Sequence, residues 1–301
     1  MLYDSVSTRG GEGLYSKLDA KGGSLYYILD GIASLVAGYL FVINNYIPLL
    51  ICLGFIIIST ILSFGFKDVY EHKNERKGLI GELKIYGKDL KSSFKFILKS
   101  KRMKSFILFQ IVFYSIIEIV NTYNNDLLIS IGIPEEQFSM IFAVLTLIGG
   151  ISLSLKNPIE KKFKNRTLSF ISLMYISACI VIGIISNLFK NSIMIIPMIL
   201  MMYAIQRINV SIWYILEAKY IKNFSKENTR NKITFSNEFI VTLATSIFAI
   251  LGGMLLKFTN VEKAFLIVGF IGVVSMITVL NYMKTRFGLK PEEYSKEDIE
   301  F

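Results

Sequence analysis

Apolar positions fall into eight long blocks, over residues 26–46, 47–66, 106–126, 138–155, 168–188, 193–215, 235–256 and 264–283. Each is near the ~20 residues that a helix needs to cross a hydrocarbon core. The pattern therefore predicts an all-α, polytopic membrane protein with eight transmembrane helices. Polar residues gather between the blocks, in 1–25, 67–105, 156–167, 216–234 and 284–301, while the alternate connections are very short. No stretch is long enough for a second soluble domain.

The spans differ in polarity. Spans 2, 5 and 8 contain no charged residue and can face lipid. Spans 3 and 6 hold the deepest charges, Glu118 and Arg207, each costing roughly 2.5–3.5 kcal/mol at a helix centre. In span 3, Gln110, Tyr114, Glu118, Asn121 and Asn125 recur at helical spacing and draw one stripe along one face. Span 6 carries a similar stripe of Gln206, Asn209, Trp213 and Glu217, with Arg207, Ser211 and Tyr214 beside it. Such seams either glue helices together or line a path for a solute. Span 7 adds Thr234, Glu238, Thr242 and Thr245, and span 1 adds Tyr27, Asp30, Ser34 and Gly38. Asp30 and Glu238 are shallower, and a structural role suits each at least as well.

Between spans 2 and 3, Leu79, Leu83, Tyr86, Leu90, Phe94 and Ile97 repeat every three or four residues beside a lysine-rich face. This is an amphipathic helix suited to the inner membrane surface. The run from Gly81 to Gly87-Lys88 is one residue too long for a phosphate loop, and Asp89 stands where Ser or Thr is needed.

Charge then gives the orientation. Of 33 Lys and Arg, 29 lie in the five longer polar segments, so these face the cytoplasm and both termini are cytoplasmic, in a cell membrane. The net charge of +10 suits an anionic inner leaflet, making membrane lipids the expected partners rather than nucleic acid. Cys52 and Cys179 sit inside apolar spans and His72 is the only histidine, so no metal site or cofactor is expected. No arrangement of catalytic groups points to an enzyme.

Charged spans recurring in a three-plus-three order, together with the basic amphipathic connector, resemble the major facilitator superfamily. Spans 1 and 2 resemble its helices five and six, and spans 3–8 its helices seven to twelve. Leu2-Tyr3-Asp4-Ser5 and Gly13-Leu14-Tyr15-Ser16-Lys17 resemble the end of its fourth helix and the loop that follows. Thr229 to Ser236 resembles the Arg-containing loop into its eleventh helix, and Leu251-Gly252-Gly253 that helix's glycine-bearing end. The loop Lys156 to Arg166 resembles the family's gating loop through Glu160, Lys161 and Lys164, without the glycine expected at either end. The fifth-helix region offers Gly31 and Gly38 but no Gly-Pro, so antiport is not implied.

The resemblance implies two spans of an N-terminal bundle (1–66), a cytoplasmic linker (67–105), a C-terminal six-helix bundle (106–283) and a tail (284–301). Helices one to four of the family have no counterpart here, as in a shortened copy completed by those helices or by another subunit. The function implied is secondary active transport of a small solute by alternating access, with proton-coupled efflux of drugs or metabolites as one form. Glu118, Asn121, Asn125, Gln206, Arg207, Asn209 and Trp213 are the expected substrate-binding set. Glu118 is the candidate for proton coupling or cation contact, Arg207 its charge partner or an anion anchor, and Trp213 a stacking surface. A buried Glu118–Arg207 pair that serves folding is the structural alternative. At the level of function, the alternative is a non-transporting membrane protein or an inactive remnant that acts through a partner.

Overall fold

The computed structural model describes residues 12–44, 46–65, 79–189, 192, 194–224 and 230–284. The segment carrying Leu2-Tyr3-Asp4-Ser5, the first part of the basic linker and the tail beyond Lys284 lie outside the described residues. Among those described, the chain forms α1 (Glu12–Ile43), α2 (Tyr46–Ser63), α3 (Leu79–Lys99), α4 (Lys101–Ser130), α5 (Phe138–Ser152), α6 (Lys156–Phe163), α7 (Thr167–Leu188), α8 (Ile195–Phe224), α9 (Arg230–Phe258) and α10 (Val261–Lys284). The fold class is all-α.

Six of these helices, α2, α4, α7, α8, α9 and α10, are long and apolar enough to cross a membrane, as in a multi-pass membrane protein. They correspond to spans 2, 3, 5, 6, 7 and 8. Spans 1 and 4 come out shorter. The apolar part of α1 is Ile28–Phe41, and α5 has 15 residues before a 3-10 turn at Leu153–Leu155. At ~1.5 Å per residue either covers roughly 21–23 Å, less than the ~30 Å hydrocarbon core.

The structure falls into two compact units, within Met1–Gly78 with Pro134–Gly150, and within Leu79–Ile133 with Ile151–Phe301. In the first, α1 packs on α2, and Gly31 and Gly38 of α1 face Leu147 and Ser139 of α5. No residue of α2 is buried.

In the second unit α4 packs against α9 and α10, α7 against α8 and α10, and α3 against α9. Ser100 opens α4, accepting a hydrogen bond from the Met103 amide at 3.1 Å. Gly132 follows its C-terminus at φ +87°, with Ile133 N–H bonded to the Leu128 carbonyl and Gly132 N–H to that of Ile129. These two bonds form a Schellman cap, which needs a residue at positive φ. Pro134 then prevents continuation.

Small residues set the α7–α10 contact. A β-carbon on Gly183 would come within 2.9 Å of the Leu266 backbone nitrogen, and one on Gly269 within 3.2 Å of that of Ile180. Side-chain atoms stand nearer still, Leu266 Cγ at 2.7 Å and Ile180 Cγ1 at 2.5 Å, and the backbone atoms beside them cannot rotate away. Gly269→Val is therefore expected to destabilise the fold by about 1–3 kcal/mol, read as a lower melting temperature in detergent. Both helices turn their other faces outward, through Val181, Ile184, Leu188, Phe270, Ile271 and Val274. These are the exposed faces of charge-free spans 5 and 8.

The amphipathic connector forms as α3. Its apolar side packs on protein at its C-terminal end, where Phe96 and Ile97 are buried with Met103, Ile107, Ile233 and Val241, and Phe94 meets the ring of Phe239. Lys84, Lys88, Lys91, Lys95 and Lys99 recur every three or four residues and are all exposed. They occupy the side opposite the buried one.

Candidate functional site

Aromatic residues hold α8 against α4. Trp213 of α8 is 0% exposed and lies among the rings of Phe106, Phe109, Phe113 and Tyr114, with centroids 5.2–6.1 Å away. Phe106 also meets Tyr220 and Phe224. Early residues of α4 thus pair with late residues of α8, and the two helices run antiparallel.

Beside this core, and wholly within the second unit, α4, α8 and α9 wall a partly enclosed cavity of about 680 Å³. From α4 come Tyr114 and Glu118, and from α8 Tyr214, Glu217, Ala218 and Ile221. Helix α9 contributes Thr234, Asn237, Glu238, Val241, Thr242 and Thr245, which recur every three or four residues along one face. All three acidic residues lie within apolar spans. There a charged side chain is tolerated where it faces a polar cavity or a partner.

Glu217 is the best-held of the three. Its carboxyl accepts hydrogen bonds from Gln110 Nε2 and from the Tyr114 hydroxyl, both donated by α4. The polar stripe of span 3 and that of span 6 meet at this point. Glu118 and Glu238 are exposed within the fold and face the cavity. Among the described residues no three His, Cys, Asp or Glu side chains converge to hold a metal ion.

Of the residues expected from the sequence to bind substrate, Glu118 lies on the cavity wall. Asn121 and Asn125, further along α4, are exposed and do not line it. Gln206 is buried, donating to Cys179 Sγ at 3.0 Å, and Asn209 is buried, donating to the Ile205 carbonyl at 2.7 Å. Arg207 is half-buried and outside the lining. Trp213 is enclosed by aromatic rings of α4 and does not line the cavity. Two of the wall's acids, Glu217 and Glu238, were visible in the sequence as members of polar stripes. Asn237 was not, although it sits three residues after Thr234 and four before Val241, on the same helix face.

The expected gating loop forms α6 and the turn after it. Glu160 pairs with Lys219 near the end of α8, at 3.1 Å, while Lys161 is exposed. Burial pushes the Lys156 ammonium below its ordinary value of 10.5, opposed by Glu160 and reinforced by Lys219. Lys164 ends α6 at φ 46°, ψ −119°, a conformation that favours glycine. Lys164→Gly is expected to raise stability by about 1–2 kcal/mol, seen as a higher melting temperature.

Comparison of the chain with family models, with curated proteins and with solved structures finds no match.

Proposed function

We propose that the protein is a secondary transporter of a small solute, working by alternating access in a cell membrane with both termini cytoplasmic. The observation that carries this reading is the cavity between α4, α8 and α9, which sets three glutamates on a common wall inside membrane-spanning helices. Its volume lies within the about 300–1,000 Å³ of small-molecule sites. The resemblance of the chain to helices five to twelve of the major facilitator superfamily supports the same reading, with eight spans in all. Glu118 is then a carboxyl that meets a cation or a proton. The Glu160–Lys219 pair fits a contact that is made in one state of the cycle and broken in the other.

Flux through proteoliposomes tests this. With a pH gradient imposed, the full chain is expected to concentrate at least one of ethidium, glucose and glutamate, a cationic, a neutral and an anionic solute, and to lose the gradient when a protonophore is added. No accumulation or exchange of any of them by folded protein would overturn the reading. A second reading, a membrane protein acting through a partner, is favoured by α2, none of whose residues is buried. Cross-links from α2 to another polypeptide, in a protein without flux, would support it.

A further inference from the structure

We propose that the cavity of α4, α8 and α9 binds an organic ammonium ion, drawn by the carboxyls of Glu118, Glu217 and Glu238 on its wall, with Asn237 completing the contact. The inference rests on reading the cavity as a solute site, and it names the class of solute.

Charge is the first ground. Three helices each send one carboxyl to the wall, and no lysine, arginine or histidine is among the lining residues. A wall of one sign in a low-dielectric setting concentrates ions of the opposite sign. The second ground is independent of the acids. Asn237 is 0% exposed, it belongs to the cavity wall, and neither its amide nitrogen nor its carbonyl oxygen has a hydrogen-bond partner. Buried polar groups are almost always paired, so an amide left with both functions unmet at a cavity wall is one that a ligand satisfies. Its oxygen calls for a donor and its nitrogen for an acceptor. An ammonium group beside a hydroxyl or ether oxygen provides both.

Size and lining exclude a bare metal ion as the occupant. The cavity is about 680 Å³, and no acidic cluster among the described residues is tight enough to ligate an ion. Ala218, Ile221, Val241 and Ala249 supply an apolar share of the wall, and Tyr214 presents an exposed ring that suits a cation. The occupant is an amphipathic amine.

Equilibrium binding to the full chain in nanodiscs tests this, with empty discs subtracted. The probes are tritiated propranolol, a naphthyl secondary ammonium with a neighbouring hydroxyl, and its uncharged N-acetyl derivative. Saturable binding of propranolol is expected, with the acetyl form weaker by about ten-fold or more, the size of a lost charge-assisted contact. The combined variant Glu118→Gln, Glu217→Gln, Glu238→Gln is expected to bind propranolol no better than the acetyl form. Equal affinity for the two probes, binding of neither, or wild-type affinity in the folded triple variant would each overturn the proposal. Asn237→Ala keeps the test decisive if the triple variant does not fold. A purely structural asparagine without partners predicts unchanged affinity on replacement, whereas the proposal requires a several-fold loss at an unchanged melting temperature. Saturable propranolol binding without flux in vesicles removes the transport reading and leaves this one. Flux of glucose or glutamate alone, without propranolol binding, does the reverse.

Discussion

Trp213→Ala is expected to destabilise the protein by about 3–5 kcal/mol, enough to abolish a cooperative thermal transition in detergent. Trp213 is the hub of the α4–α8 contact, with four aromatic neighbours from α4. Truncation removes edge-to-face and tilted ring contacts worth about 0.5–1.5 kcal/mol each beyond area, and leaves a void that rigid helices cannot close. Trp213→Phe keeps most of the volume and is expected to melt much closer to the original. A Trp213→Ala protein as stable as the parent would mean that α8 is not held to α4 through this cluster.

The second large effect is expected at Glu217, where the choice of replacement separates structure from charge. Glu217→Leu leaves the Gln110 amide and the Tyr114 hydroxyl without their acceptor. Each stranded group costs about 1–3 kcal/mol, so a loss of roughly 2–6 kcal/mol is expected. Glu217→Gln can still accept from Gln110 through its oxygen, and donate to the Tyr114 oxygen once that hydroxyl rotates. It should retain most of the stability and lose only the carboxyl. Thermal melting of the two variants side by side checks this, and equal melting temperatures for both would contradict the hydrogen-bonded arrangement.

Several features were legible before any fold was known. Helical spacing drew the polar stripes of spans 3, 6 and 7, and these contain Tyr114, Glu118, Glu217 and Glu238 of the cavity wall. The lysine-rich amphipathic connector was equally clear, because a 3.6-residue period sorts its two faces unambiguously.

Pairing between helices was not legible. Periodicity says which residues share a face, and not which neighbour that face meets or at what depth. Trp213 and Glu217 are four apart and share a face of α8, yet one turn separates an aromatic core from a polar wall, because the antiparallel α4 places Phe109 and Phe113 against the first and Gln110 and Tyr114 against the second. Gln206 and Asn209 likewise read as solute contacts, but their amides are used by Cys179 and by the Ile205 carbonyl. Asn237 shares a helix face with Thr234 and Val241, but spacing does not say whether a lone amide on that face meets a cavity or a packed neighbour.

Thiol accessibility tests the cavity itself most directly. In a Cys52→Ser, Cys179→Ser background, cysteines would be placed singly at Glu118 and Thr242 on the wall, and at Ile271 and Val274 on the outer face of α10. Reaction with a membrane-impermeant, positively charged thiol reagent would be followed in vesicles with the reagent supplied on both sides of the membrane. The two wall positions are expected to react readily and to be protected by propranolol, while the two α10 positions stay inert in lipid. Wall cysteines as unreactive as those on α10 would contradict a polar cavity between α4, α8 and α9.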